Sequence, residues 1–178
     1  VELFAWLEGR AEKPETRDLA PFRPAMLAHA IEETDFAALD PNDFIAEWKW
    51  DGIRVQAAAA GTGEDHIARL YSRTGEDISK SFPDLAEALR LPGSIDGELL
   101  VLREGRVQSF NVLQQRLNRK SVTSKLMKEY PIHLRAYDLL SDGETDLREL
   151  PFEQRRTKLE RFIAELDDDR IDLSDQIP

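Results

Sequence analysis

Apolar and polar positions alternate through residues 44–50, with Phe44, Ala46, Trp48 and Trp50 on one side and Ile45, Glu47 and Lys49 on the other. A period of two predicts a strand, and it points Glu47 and Lys49 the same way. Asp51-Gly52 is a turn signal, residues 53–60 (IRVQAAAA) predict the next strand, and a turn over residues 61–65 leads into a third at residues 67–73. Residues 81–90 predict a short helix with Pro83 near its first turn, where a missing N–H costs no helical bond. SIDGELLVL, residues 94–102, predicts a strand paired through residues 103–106 with VQSF. Helical pieces follow at about residues 111–118 and 121–129, and IHLRAYDLL, residues 132–140, is apolar enough for a central strand. Ser141-Asp142-Gly143 turns the chain, and Pro151 opens an amphipathic helix with Phe152, Leu159, Phe162, Ile163 and Leu166 near one stripe. Residues 167–178 are acidic and short of apolar side chains.

Strands and helices occur here without regular one-to-one alternation, so the expected class is α+β built around antiparallel sheet rather than a doubly wound fold. Residues 1–9 read as the end of an amphipathic helix and residues 10–24 as a polar, proline-bearing linker. The expected organisation is a tail and linker over residues 1–20 and one domain over residues 21–178.

Composition narrows the chemistry. No apolar run approaches the roughly 20 residues of a spanning helix, and no stretch has a secretory pattern, so a soluble, cytoplasmic protein with no membrane partner is expected. The absence of cysteine excludes disulfides, thiolate metal sites and a thiol nucleophile. His29, His66 and His133 are too scattered to form a ligand pair and read as ordinary surface or core residues. A net charge of −11 is a poor match to a stand-alone nucleic-acid binder, whose affinity comes from neutralising phosphates. Residues 103–135 run against that balance. Arg103, Arg106, Arg116, Arg119, Lys120, Lys125, Lys128 and Arg135 stand there against Glu104 and Glu129. The segment is either a contact for a phosphate backbone or a solvated helical face.

Candidate chemistry sits on the strands. Lys49-Trp50-Asp51-Gly52-Ile53-Arg54 has the form K-x-D-G-x-R, followed in order by Ser72-Arg73-Thr74-Gly75, Asp96-Gly97-Glu98-Leu99, Ala136-Tyr137-Asp138-Leu139-Leu140 and PFEQRR at residues 151–156. Taken together, over about residues 21–165, these resemble the motifs of the nucleotidyltransferase family of ATP-dependent DNA ligases, RNA ligases and capping enzymes. FRPAMLA (22–28), EWKWDGIRVQ (47–56) and LREGRVQSFNVLQQRL (102–117) look most like bacterial ATP-dependent DNA ligases with an N-terminal helical DNA-binding domain.

The resemblance implies an adenylation domain of largely antiparallel sheets flanked by helices, incomplete at its C-terminus, entered from that upstream domain through residues 1–20. It implies a monomer using ATP with Mg²⁺ or Mn²⁺ on nicked double-stranded DNA, in replication, repair and recombination. Lys49 takes AMP from ATP, AMP passes to the 5′-phosphate of the nick, and the 3′-hydroxyl displaces it. Forming the phosphoramide requires an uncharged amine, whereas an unperturbed lysine titrates near about 10.4, so the surroundings of Lys49 are expected to be cationic or dry. Arg54, Arg73 and the metal on the triphosphate would supply that charge while neutralising the phosphates.

For the remaining residues the resemblance implies a hydrogen bond from the adenine amino group to Glu47, with Trp48 lining the nucleotide site. Arg54 and Arg73 would contact ribose and phosphates, and Glu98 would bind ribose hydroxyls or the metal. Tyr137, where the family usually carries phenylalanine, would stack on the base. Asp96 is the weaker candidate, reading equally as a turn residue before Gly97. Two further family motifs, a glutamate-bearing strand and a lysine-rich strand, do not occur in residues 1–178, so this segment by itself is expected not to seal nicks. An RNA ligase or an RNA-capping enzyme would use the same lysine, and a non-catalytic scaffold would keep the fold without the reaction.

Overall fold

In the computed structural model of this chain, residues 18–117, 119 and 121–177 are described. Residues 1–17, most of the expected tail and linker, lie outside them. The strands are β1 (Ala46–Glu47), β2 (Ile53–Ala60), β3 (Ile67–Ser72), β4 (Gly93–Arg103), β5 (Arg106–Val107), β6 (Ile132–Asp142), β7 (Thr145–Asp146), β8 (Ile171–Leu173) and β9 (Gln176–Ile177). The helices are α1 (Pro83–Ala86), α2 (Phe110–Leu113), α3 (Ser124–Glu129) and α4 (Phe152–Leu166). The order β3-β2-β4-β6-β7 forms an antiparallel sheet, with β5 added on β4 and β8 added in parallel on β6. A separate pair joins β1 to β9. The fold is α+β, as the irregular order of elements in the sequence requires.

Alternation along β2, β4 and β6 gives the sheet two unlike faces. Val55, Ala57, Leu70, Ile95, Leu99, Leu134, Ala136 and Leu139 point one way and are essentially fully buried. They pack beneath Phe82 and Leu85 at α1, Leu113 of α2, and Leu159, Phe162 and Leu166 of α4. Each large aliphatic side chain removed from water there stabilises the fold by about 1.5–3 kcal/mol. On the opposite face Arg54 stands across from Glu98, Gln56 across from Asp96, and Glu98 across from Arg135. The chain before β1 crosses this polar face. Gln56 exchanges hydrogen bonds of 2.7 and 2.6 Å with the backbone of Arg23, and the Tyr71 hydroxyl donates to Ala20 O at 2.7 Å.

Where β4 meets β6, the register slips. Asp96 faces Asp138 but Gly97 faces Ala136, which leaves Tyr137 as an extra residue on β6. Such a bulge re-aims side chains, and here it turns both Tyr137 and Asp138 towards the polar side. The neighbouring glycine is required by space: a Cβ on Gly97 would lie 2.7 Å from Arg135 O.

Several expected elements differ from those observed. The strand over residues 44–50 contracts to Ala46–Glu47, because β9 offers only two residues to pair with and Trp50 leaves the ladder for partners elsewhere. The helix over 81–90 is regular only through Pro83–Ala86, and its N-terminus has no side-chain cap. VQSF pairs only at its first residue, since Phe110 already opens α2. The 121–129 helix begins at Ser124, where the Thr123 hydroxyl accepts the Leu126 N–H at 3.3 Å. Residues 167–178 carry two strands that composition did not signal, because their partners are remote in sequence. No helix among the described residues is long and apolar enough to cross a membrane.

Candidate active site

A cleft of about 590 Å³ opens over the polar face, and Glu47, Trp48, Lys49, Arg54, Arg73, Glu98 and Tyr137 all line it. Lys49 is exposed at its rim and lies in a segment anchored on both sides. Before it, Glu47 pairs with Gln176. After it, the Trp50 indole N–H donates to Ser174 Oγ at 3.1 Å, and the Arg135 guanidinium lies 4.3 Å from the indole ring centre. Arg135 is itself held by Asp172 through bonds of 2.9 and 2.6 Å. The Gly52 N–H then donates to Glu98 Oε1 at 3.0 Å. At Gly52 a Cβ would stand 2.2 Å from Leu99 O, so only glycine brings the chain this close to β4.

The floor is a charge network. Arg54 grips Asp96 with two hydrogen bonds of 3.0 and 2.6 Å and gives a third, of 2.8 Å, to Met26 O. The Tyr137 hydroxyl donates to Asp96 Oδ1 at 3.3 Å, and the Arg54 guanidinium lies 5.8 Å from the Tyr137 ring centre. Burial pushes the Asp96 carboxyl up from its ordinary range, opposed by Arg54. The Tyr137 hydroxyl is pushed far upward, chiefly by burial and then by the Asp96 charge. Glu98 is also raised by burial, with the Gly52 N–H and then Arg54 acting the other way.

Ser72, Arg73 and Thr74 form a second wall, and there Ser72 Oγ accepts the backbone N–H groups of Thr74 and Glu76 at 3.3 and 3.2 Å. At the inner end Glu47 Oε1 stands 3.5 Å from Arg156 Nη1, an ion pair beyond good hydrogen-bonding reach. Asp138 is bound by Arg155 through two bonds of 2.9 and 3.0 Å. Among the described residues no three acidic, histidine or cysteine side chains cluster as a ready-made metal site. Glu98 still suits a hard cation, since it offers a carboxylate oxygen not engaged by Gly52. A magnesium ion there would take its other ligands from phosphates and water, as that ion commonly does.

The seven residues singled out from sequence are therefore brought together. Asp96 is not a turn residue: it sits mid-strand, 2 % exposed, and fixes both Arg54 and Tyr137. The basic segment 103–135 is not one patch. Arg116 is completely buried, bound to Asp84 at 2.6 and 3.1 Å and to two backbone carbonyls, and Arg135 is committed to Asp172 and Trp50. Neither is available to a phosphate backbone. Sequence reasoning missed Ser174, Asp172 and the separate targets of Arg155 and Arg156. The PFEQRR motif signalled the two arginines without showing their partners, and nothing signalled Ser174.

The family described as "ATP dependent DNA ligase domain" matches residues 25–177. The chain is 35 % identical over 151 residues to "DNA ligase 1" of Korarchaeum cryptofilum, covering 82 % of this chain and 27 % of that protein. The crystal structure of the ligase domain from M. tuberculosis LigD superposes with a TM-score of 0.55 at 30 % identity, covering 74 % of this chain and 39 % of that one. A structure of mycobacterial DNA ligase D complexed with ATP and MES gives a TM-score of 0.53 at 28 % identity, covering 75 % and 40 %. The chain thus spans about a quarter of the length of the curated relatives it matches. With the matched region taking in the whole lining of the cleft, from Glu47 to Tyr137, this chain belongs to the ATP-dependent DNA ligase domain family.

Proposed function

We propose that this cleft is the nucleotide-transfer site of an ATP-dependent DNA ligase, with Lys49 as the nucleophile. The observation that carries the reading is the placement of one lysine, anchored on both sides, at the mouth of a cleft holding Arg54, Arg73, Glu98 and Tyr137. The lone pair of the neutral Lys49 amine attacks the α-phosphorus of ATP, a P–N bond forms, the bond to pyrophosphate breaks, and the nitrogen releases one proton to solvent. The resulting AMP group passes to the 5′-phosphate of a nick in duplex DNA, and the 3′-hydroxyl then displaces AMP to seal it.

Each residue has a task that its surroundings support. Glu47 accepts a hydrogen bond from the adenine amino group, Tyr137 offers its ring to the base, and Trp48 closes the open side. Arg54 is oriented by Asp96 and Met26 O, so its guanidinium is held in place where it lines the cleft. Arg73, on the second wall, faces the phosphates. A divalent ion beside Glu98 would supply charge neutralisation on the triphosphate. Glu98 and Arg54 otherwise hold the ribose end in place, so catalysis rests on positioning rather than on proton transfer.

Intact mass after incubation of the full-length gene product with ATP and Mg²⁺ tests the proposal. An added AMP in the wild type that is absent from Lys49→Ala is the expected outcome. No addition to a folded wild type would sink the reading and favour a scaffold, whereas addition from GTP alone would point to a capping enzyme.

A further inference from the structure

The inner end of the cleft contains more than the base contact requires. Glu47 is the acceptor for adenine in the reading above, yet its Oε1 is buried without a hydrogen bond, 3.5 Å from Arg156. Arg156 is nearly buried on α4 and held at two points: Nη1 donates to Ser174 O at 2.9 Å and Nε to Glu160 Oε1 at 3.0 Å. Ser174, 1 % exposed, is also the residue that receives the Trp50 indole N–H. One buried serine thus sets the position of Trp50 directly and the position of the charge beside Glu47 through Arg156. Trp50 follows Lys49 in the chain, and Glu47, beside the Arg156 charge, precedes it.

We propose that Arg156 is a positioning residue for base selection: fixed by Ser174 and Glu160, its guanidinium holds the Glu47 side chain as a charged acceptor, which fits the amino group of adenine and repels the carbonyl oxygen of guanine. A protonated Glu47 would offer an O–H donor to a carbonyl and accept from an amino group only through a neutral oxygen, which weakens the preference for adenine. The balance between those forms is contested. Burial raises the Glu47 carboxyl, Arg156 lowers it, and the Asp138 carboxylate raises it again. Asp138 is itself bound by Arg155, which leaves Arg156 as the cation aimed at Glu47. The other charged groups facing this end are Glu153 and Glu160 on α4, Asp43 across the adjoining groove, and Lys49 in the same segment as Glu47. The acidic ones favour protonation if Arg156 is removed.

The inference rests on Glu47 as the adenine contact, so the test separates the two. In the full-length gene product, affinities for ATP and GTP are measured by calorimetry from mildly acid to mildly alkaline pH. The carboxyl carbon of Glu47 is followed by NMR over the same range. Any titration of Lys49 acts on both nucleotides and cancels in the ratio. Arg156→Gln is expected to lower the ATP:GTP affinity ratio by about tenfold at neutral pH, the loss of one charge-assisted hydrogen bond, with recovery as pH rises and Glu47 ionises. Glu47→Gln is expected to lower it at every pH. Arg156→Lys keeps the charge without the planar fork and should fall between, with a smaller upward shift of the Glu47 titration; it also serves if the glutamine variant does not fold. A ratio and a Glu47 titration unchanged in the Arg156 variants, with the ratio lost in Glu47→Gln, would overturn the inference alone. An unchanged ratio in Glu47→Gln would overturn the adenine contact beneath it.

Discussion

The two faces of the β2-β4-β6 sheet are built from the same strands and solve opposite problems. On one, Val55, Ile95, Leu99, Leu134 and Leu139 fill space with groups that need no partner. On the other, Arg54, Asp96, Glu98, Arg135 and Tyr137 are half-buried or buried polar groups, each tolerable only because a specific neighbour completes it. On the apolar face burial follows from each side chain's own chemistry and asks for no specific partner. A charged face is a chain of dependencies: Asp96 fixes Arg54 and Tyr137, Asp172 fixes Arg135, Arg135 covers Trp50, and Trp50 sets the segment that carries Lys49.

That contrast can be broken experimentally. The largest expected loss of stability is on the apolar face, where Leu134→Ala should cost about 4 kcal/mol through lost burial and a cavity between β6 and the helices. Urea unfolding would read it, and nucleotide affinity of the fraction still folded should be close to wild type. Asp96→Ala should cost somewhat less stability, about 3 kcal/mol, because Arg54 is left partly buried without its counter-ion. Its second effect distinguishes the faces: ATP affinity by calorimetry should fall along with stability, since Arg54 and Tyr137 lose their common anchor. Retained affinity in that variant would show that the network is merely structural.

The smallest effect lies away from both faces, at the start of β8. Arg170 holds the Asp168 carboxyl down at about 2, below the roughly 3.9 of an unfolded aspartate. A depressed folded value means the pair stabilises above the unfolded pKa and loses that contribution as pH falls from about 4 through about 2. Arg170 is 37 % exposed, so solvent screening limits the contribution to about 1 kcal/mol. Asp168→Asn should therefore differ from wild type by about that amount at pH near neutrality and converge with it in acid, as followed by thermal unfolding. A difference that persisted in acid would assign the effect to packing instead.

The strands that build the apolar face were legible because a hydrophobic residue carries its own instruction to be buried, and repetition at two-residue spacing says which side is buried. Residues 53–60, placed by the turn signal before them, and residues 132–140, placed by their apolar run, lie within two residues of the observed ends of β2 and β6, whereas the alternation at 44–50 yields only the two residues of β1. The motif residues Lys49, Arg54, Glu98 and Tyr137 were legible as a set by resemblance, since their order along the chain is characteristic. Asp96 was not: the same aspartate before a glycine reads equally as a turn, and only the pairing of β2 with β4 brings Arg54 beside it. The bulge that makes Tyr137 an extra residue has no signature in a single strand, because register belongs to two strands at once.

By itself, then, the sequence determined the α+β class, the apolar stripe of α4, and the roster of charged side chains able to meet a nucleotide. Only the tertiary structure decided which of those charges are engaged with one another and which face open space. It placed Arg116 and Arg135 in structural roles, and Arg54 beside Asp96 at the floor of the cleft. It also brought an unremarkable tail, residues 171–177, alongside β1 and β6, where Ser174 holds both the Trp50 indole and the Arg156 guanidinium. The physical reason is that burial of an apolar group depends on its own chemistry, whereas the state of a charged group depends on what stands next to it, and neighbours remote in sequence are assigned by the fold.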